Sequence, residues 1–191
     1  MLFRSLFNPY RAKDDIIVTA GRLWDEGKNV ALLVQDEMPF PVCMVGSNEH
    51  PASQTQAAVS EEARSGVHFN SPRDEQQLTR LLSRAAIYAA TSRYEPFGLA
   101  PVEAAFSRCA IVASDIPSFR ELWEGAAIFF ENNNPQSLRR TLESLAEDRE
   151  FRQLYGNLAY NRARLKFLSD RMVEAYMSLY RSLVPAQILT A

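Results

Sequence analysis

IYAATSRYEPFGLAPVEAAFSRCAIVAS, residues 87–114, is the stretch whose reading decides the fold. It begins with a short run of β-forming residues at 87–91 and ends with the almost wholly apolar AIVAS at 110–114. Between them lie a turn containing Pro96 and Gly98 and a segment of helix formers starting near Leu99. Strand, helix, strand in that order predicts two parallel strands joined by a crossover. An apolar run with no alternation is what a strand buried on both faces looks like.

The same rhythm extends in both directions. Further strands are predicted at 16–20, 42–46, 67–70 and 126–130, where IIVTA repeats the apolar character of AIVAS. Helices are predicted at 74–85, from Leu78, Leu81, Leu82 and Ala85 on one stripe, and at 136–147, from Leu138, Leu142 and Leu145. A last helix at 169–184 opens with Ser169-Asp170 and carries Met172, Tyr176, Leu179, Tyr180 and Leu183 on one side. The expected fold is α/β: a doubly wound, Rossmann-like parallel sheet of about six strands, followed by C-terminal helices. Residues 1–15 read as a linker or the remnant of a preceding domain, 16–168 as the sheet domain, and 169–191 as a terminal helix and tail. The polar loop at 48–56 is expected to be mobile.

Composition narrows the function. The 191 residues are 47% hydrophobic and carry a formal net charge of −2, enough apolar content for one full core and no basic block to hold nucleic acid. Cys43 and Cys109 match no metal or redox spacing and read as thiols in a reducing compartment. His50 and His68 lack a ligand partner at metal spacing, so no metal site is expected. No apolar run is long enough to cross a bilayer, and the N-terminus has no small-residue cleavage site, so a cytoplasmic chain is expected. GxGxxG, GxxxxGK[ST] and GxSxG are all missing from the sequence, which argues against nicotinamide or flavin binding, P-loop hydrolysis and serine catalysis.

In doubly wound sheets, ligands bind beyond the carboxyl ends of the strands. Two segments there could do chemistry. In EPFGLAPVE, 95–103, Pro96 biases Glu95 toward an extended shape, Gly98 permits close backbone approach, and Pro101 suits the first turn of a helix. The helix N-terminus would offer free N–H groups to an anion, with Glu95 on the loop and Glu103 in the first turn, each able to accept hydrogen bonds from sugar hydroxyls. A plainer reading leaves Glu103 complementing the helix dipole and Glu95 in water. In GRLWDEGKN, 21–29, Gly21-Arg22 ends a strand and Lys28-Asn29 opens the first helix, placing two cations where a diphosphate could be neutralised. The plainer reading pairs them with Asp25 and Glu26.

Taken together and in order, these segments resemble the C-terminal, donor-binding domain of family 4 retaining glycosyltransferases, one half of the two-domain GT-B fold. The resemblance covers about residues 16–183. It rests on GRLWDEGKN, PVCMVGS at 41–47, the two glutamates of EPFGLAPVE, AIVASDIPSFRELW at 110–123 and GAAIFF at 125–130. It implies that Arg22 and Lys28 bind the diphosphate of a nucleotide-sugar donor. Glu95 would contact the transferred sugar and, with those cations, form the catalytic set. Phe97, Gly98 and Leu99 would hold sugar hydroxyls and phosphate through their backbone, and Glu103 the ribose. Gly46, Asn70 and Ser71 would complete the donor site, the last two near the base. It implies no cofactor and no metal. The partners implied are a nucleotide-sugar donor, an acceptor that the residues do not identify, and an acceptor-binding N-terminal domain or partner chain that this sequence lacks. Any peripheral membrane contact would come from that missing part. The alternative is a non-catalytic nucleotide-sugar-binding module, or a degenerate relative. One departure concerns position 108, where the family places glycine and this chain has Arg108.

Overall fold

The computed structural model describes residues 7–47, 66–70 and 75–183. Six strands form one parallel sheet: β1 Asp14–Ala20, β2 Val42–Val45, β3 Val67–Asn70, β4 Ala85–Ala90, β5 Ala110–Ser114 and β6 Ile128–Phe130. Their spatial order is β3-β2-β1-β4-β5-β6. Chain order therefore runs outward from β1 in one direction and resumes from β4 in the other. The reversal lies between β1 and β4, which pair through Ile17 with Ile87 and Val18 with Tyr88. The fold class read from the sequence is the one observed.

Helices cover both faces. They are α1 Leu32–Gln35, α2 Glu75–Arg84, α3 Leu99–Phe106, α4 Pro117–Trp123, α5 Pro135–Glu147, α6 Arg149–Lys166 and α7 Ser169–Leu183. Alternate strand residues serve alternate cores. On one face Ile17, Met44, Ile87, Val112 and Phe130 meet Leu32 and Leu33 of α1 and Leu138, Leu142 and Leu145 of α5. On the other Val18, Tyr88 and Ile111 meet Phe106, Phe119, Trp123, Ala159 and Ala163. Each fully buried leucine contributes about 1.5–3 kcal/mol of burial free energy, which is why the leucine stripe of α5 was legible as a helix.

Helix α6 carries no such stripe. Its buried positions are Arg152, Gly156, Ala159 and Ala163, mostly small residues that let it lie close to β5. A Cβ on Gly156 would come within 2.7 Å of the carbonyl oxygen of Arg108. That close approach replaces large apolar side chains and hides the helix from a periodicity search. Arg108 itself has φ 60, so an arginine holds a left-handed conformation at the position where the resemblance places glycine.

Several boundaries differ from expectation. The first helix does not open at Lys28: residues Glu26–Lys28 form a single 3-10 turn, closed by Asn29 at φ 51, and α1 begins at Leu32. Strand β6 omits Ala126 and Ala127, whose N–H groups donate to the Trp123 carbonyl as α4 ends. Ala85, expected in a helix, starts β4. Residues 48–56 and 184–191 lie outside the described residues.

Candidate functional site

A cavity of about 350 Å3 opens where the strand order reverses. Its walls are Thr19, Ala20 and Gly21 from the end of β1, Ala90, Thr91 and Ser92 from the end of β4, Lys28, and the loop from Glu95 into α3. This is the switch-point crevice where doubly wound sheets take ligands, and its volume lies in the range of small-molecule pockets.

The loop after β4 is shaped by Gly98, which caps α3 at φ 80 and ψ 83 with no side-chain capping hydrogen bond. A Cβ there would press on Glu95 Cγ at 3.2 Å and Pro101 Cγ at 3.3 Å. The first-turn N–H groups of α3, those of Leu99 and Ala100, lack intrahelical acceptors and belong to residues that line the cavity. Such a helix start favours an anion.

Lys28 faces this helix end. Its ammonium donates to Glu95 Oε2, and the two side chains are only 23% and 13% exposed. The lysine loop is pinned to β4 twice: Thr91 Oγ1 donates to the Lys28 carbonyl at 2.8 Å, and the Arg93 N–H donates to the Gly27 carbonyl at 2.9 Å. Asp25 closes the turn by accepting from the Gly27 N–H at 2.9 Å. One wall thus holds a cation, a carboxylate and a helix N-terminus. Chemically it can take a diphosphate on the cation and the helix end, with hydroxyls on the carboxylate.

Beneath the crevice, the Tyr88 hydroxyl donates to the Ala20 carbonyl at 3.2 Å and accepts from the Ala20 N–H at 3.3 Å. Burial drives the phenol well above its ordinary range; the bond to Ala20 works the other way, and the nearby charges of Glu103 and Glu95 add to the rise. Tyr88 is a fixed neutral strut between β4 and β1.

The structure brings Lys28, Glu95, Phe97, Gly98 and Leu99 together in this wall. It leaves Arg22 outside. The Arg22 side chain is 64% exposed, pairs with Asp25 at 2.9 Å and stacks over Trp24 with its guanidinium carbon 5.4 Å from the ring centre. Glu103 is in the second turn of α3, because the helix begins four residues earlier at Leu99. It lines an adjoining, largely apolar groove with Val102, Phe106 and Phe167 while its charge still reaches Tyr88. Gly46 does not line the cavity but abuts Gly21 behind it. Asn70 closes β3, and Ser71 lies outside the described residues.

Sequence reading missed Thr91, Arg93 and Tyr88 as supports. Thr91 and Tyr88 are in or beside an apolar strand, and their partners, Lys28 and Ala20, are more than sixty positions away. Nothing local marks such pairings.

An aromatic relay anchors the loop: Phe97 packs edge-on against Phe167 at 5.5 Å, and Phe167 contacts Trp123 at 5.4 Å. Phe167→Ala removes both contacts and is expected to lower stability by about 1–3 kcal/mol, the worth of two aromatic pairs. It should also weaken ligand binding a few-fold as the loop loosens. Thermal melting and a binding titration on the same variant check this; unchanged affinity would show that the relay does not support the loop.

A family model described as "Glycosyl transferases group 1" matches residues 7–162. Lipopolysaccharide core biosynthesis mannosyltransferase LpcC of Rhizobium leguminosarum bv. viciae is 33% identical over 104 residues, which are 53% of this chain and 29% of that protein. This chain spans less than half the length of the curated relatives it matches. Among solved structures, sucrose-phosphate synthase from Thermosynechococcus elongatus superposes with a TM-score of 0.74 at 20% identity, over 94% of this chain and 50% of that one. The C-terminal domain of a glycosyl transferase group 1 family protein (LpcC) from Francisella tularensis gives 0.68 at 16%, over 87% and 98%. Anabaena Alr3699/HepE in complex with UDP-glucose gives 0.67 at 19%, over 86% and 49%. At these identities the structures speak to the fold.

Proposed function

The chain belongs to the glycosyl transferases group 1 family, and from that premise we propose that it is the donor-binding half of a retaining, family 4 glycosyltransferase. It binds a nucleotide-diphosphate sugar in the crevice between β1 and β4. The observation that carries this is the convergence of Lys28, Glu95 and the uncapped start of α3 on one cavity wall at the switch point. The curated relative named above is a mannosyltransferase, and one similar fold is recorded with UDP-glucose, which supports a nucleotide sugar as ligand.

In this reading the diphosphate takes the place Lys28 now gives to Glu95. Lys28 and the α3 N–H groups meet the charge that develops as the bond between the sugar's anomeric carbon and the phosphate oxygen breaks. Arg22 leaves Asp25 and closes over the diphosphate from the exposed side. Glu95, released from Lys28, orients the sugar by accepting from its hydroxyls. The acceptor oxygen attacks from the face the phosphate leaves, its proton passes to the departing phosphate, and configuration is retained. Glu103 holds the ribose, Asn70 and Ser71 border the base, and Gly46 supports Gly21 from behind. The helix end and cations serve in place of a metal. The acceptor enters from a second domain or chain, and the exposed apolar side of α7, with Met172, Tyr176 and Tyr180, docks there.

Calorimetric titration with UDP, GDP and ADP, without added metal, tests this. One of the three is expected to bind saturably at a single crevice, while the chain alone transfers sugar slowly or not at all. Binding of none would refute a live donor site, and steady transfer by the chain alone would refute the need for a second wall.

A further inference from the structure

The opposite end of the sheet holds a second polar cavity, of about 280 Å3, that the proposed reaction does not use. It lies where β1, β4 and β5 begin, one length of β1 from the donor crevice, or about 20 Å at 3.3 Å per residue. Arg11, Lys13, Arg108, Arg149 and Arg152 line it, against one carboxylate, Asp15. That imbalance stands out in a chain whose formal net charge is −2.

Among the described residues these cations are only partly matched by carboxylates. Arg152 pairs with Asp15 at 2.9 Å and donates to the carbonyls of Leu145 and Ala146, so the single carboxylate is already engaged. The Lys13 ammonium donates to the carbonyls of Leu82, Ser83 and Ser107, which are neutral. Arg108 is stacked between Tyr10 and Tyr160, with its guanidinium carbon 5.2 and 4.6 Å from their ring centres, and gives Nη1 to the neutral Asn157 at 3.1 Å. Its buried Nε finds no acceptor among the described residues. Among the described residues, no ion pair forms with Arg11 or Arg149. Burial is the main cause that lowers the Lys13 pKa; Cys109 works against it, Arg108 lowers it as well, and Asp14 raises it. Five cations around a concavity with one carboxylate leave an excess of positive charge that an anion would offset, with Arg108, Arg11 and Arg149 holding the donors for it.

Position 108 makes the arrangement harder to read as incidental. Its backbone is left-handed at φ 60, where glycine fits without strain and arginine does not. The chain places at this strained spot a guanidinium that lies over two aromatic rings at the cavity's edge.

We propose that this cavity at the N-terminal end of the sheet is a second anion site, for a phosphoryl group carried by a small phosphate compound or a lipid headgroup. The proposal does not rest on the donor-site reading. Arg149 and Arg11, on the exposed rim, draw the anion in, and Arg108 holds it, while Lys13, its three donors taken by carbonyls, adds only its charge from behind.

The test uses the full chain carrying Lys28→Ala, which removes the strongest anion contact of the donor crevice, titrated with pyrophosphate at low salt. Saturable binding near one equivalent is expected. Arg149→Gln and Arg108→Gly, each added to Lys28→Ala, should weaken it at least about tenfold, the loss of one charge-assisted contact. Arg149 is exposed, and glycine suits the backbone at 108, so both variants should fold, as melting will verify. The same proteins are then sedimented with vesicles containing phosphatidic acid. Arginine-dependent vesicle binding with weaker pyrophosphate binding assigns a lipid headgroup; arginine-dependent pyrophosphate binding alone assigns a soluble phosphate. No saturable binding in either arm, or binding that both substitutions leave unchanged, overturns the proposal. Loss of nucleotide binding at the crevice would not affect this result, so the two readings fail separately.

Discussion

Lys28→Ala is expected to weaken binding of a nucleoside diphosphate by about 100-fold while changing nucleoside binding by less than about twofold, since one charged hydrogen bond to phosphate is worth up to about 3 kcal/mol. The asymmetry follows from where Lys28 stands. Its ammonium is already inside the crevice, on a loop fastened to the segment after β4 by Thr91 and Arg93, so it has only to exchange Glu95 for a phosphate. Arg22, exposed and paired with Asp25, must reorganise to contribute, so Arg22→Ala should cost less. The substitution also strands Glu95, which is 13% exposed, and should cost about 1 kcal/mol of stability, less than a fully buried pair because water still reaches the site. Titrating the nucleoside and its diphosphate against parent and variant checks this. Equal losses for both ligands would show that Lys28 acts through the fold rather than on phosphate.

Gly46→Val carries the largest expected cost to folding. A Cβ at this position would lie 1.7 Å from the Gly21 carbonyl oxygen and 2.8 Å from its carbonyl carbon, with Leu23 Cγ at 3.3 Å behind. The first two obstacles are backbone and cannot rotate away. They are also fastened, because the Gly21 N–H donates to the Val45 carbonyl at 2.9 Å and the Leu23 N–H to the Ser47 carbonyl at 2.8 Å. Relief requires prying β1 from β2 at the lip of the crevice. Roughly 3 kcal/mol or more is expected, the upper end of overpacking costs. That corresponds to a fall in Tm of about 6–12 °C for a domain of this size. Gly66→Ala is the comparison: a Cβ there meets nothing within 4 Å, so only backbone strain at φ +95 applies. If Gly46→Val melts no lower than Gly66→Ala, the close approach of β1 and β2 is not a constraint on the fold.

The sheet was legible because most of its strands contain an apolar or β-forming run. AIVAS and VHFN were placed with their observed ends, and the end of each strand marked the functional edge. Where reading failed, the determinant was long-range or lay in small residues. Helix α6 escaped because Gly156, Ala159 and Ala163 pack by closeness rather than bulk. The 3-10 turn at Glu26–Lys28 escaped because Asp25 caps three residues instead of a helix, and Asn29 ends it left-handed. Glu103 was expected one turn too early, since Pro101 marks the start of α3 only to within a turn. Of the candidate site, the segments carrying Lys28, Glu95 and Phe97–Leu99 were marked out by the family resemblance, while their spacing alone left the plainer readings open. The outward turn of Arg22 could not, because its partner Asp25 and its stacking on Trp24 are choices among neighbours that the sequence leaves equal. That Arg108 stands where the resembled family places glycine was legible; its left-handed backbone and its contacts with Tyr10 and Tyr160 came from the structure.

The most direct test of the central claim is a map of backbone amide shifts while a nucleoside diphosphate is titrated into the chain, whose 191 residues are within reach of the method. A diphosphate seated at the switch point should move the amides of Gly21, Lys28, Gly98, Leu99 and Ala100 first and furthest, with a common saturation curve. Shifts confined to the far end of the sheet, around Lys13 and Arg108, with the amides of the α3 start unmoved, would contradict a donor site in the crevice.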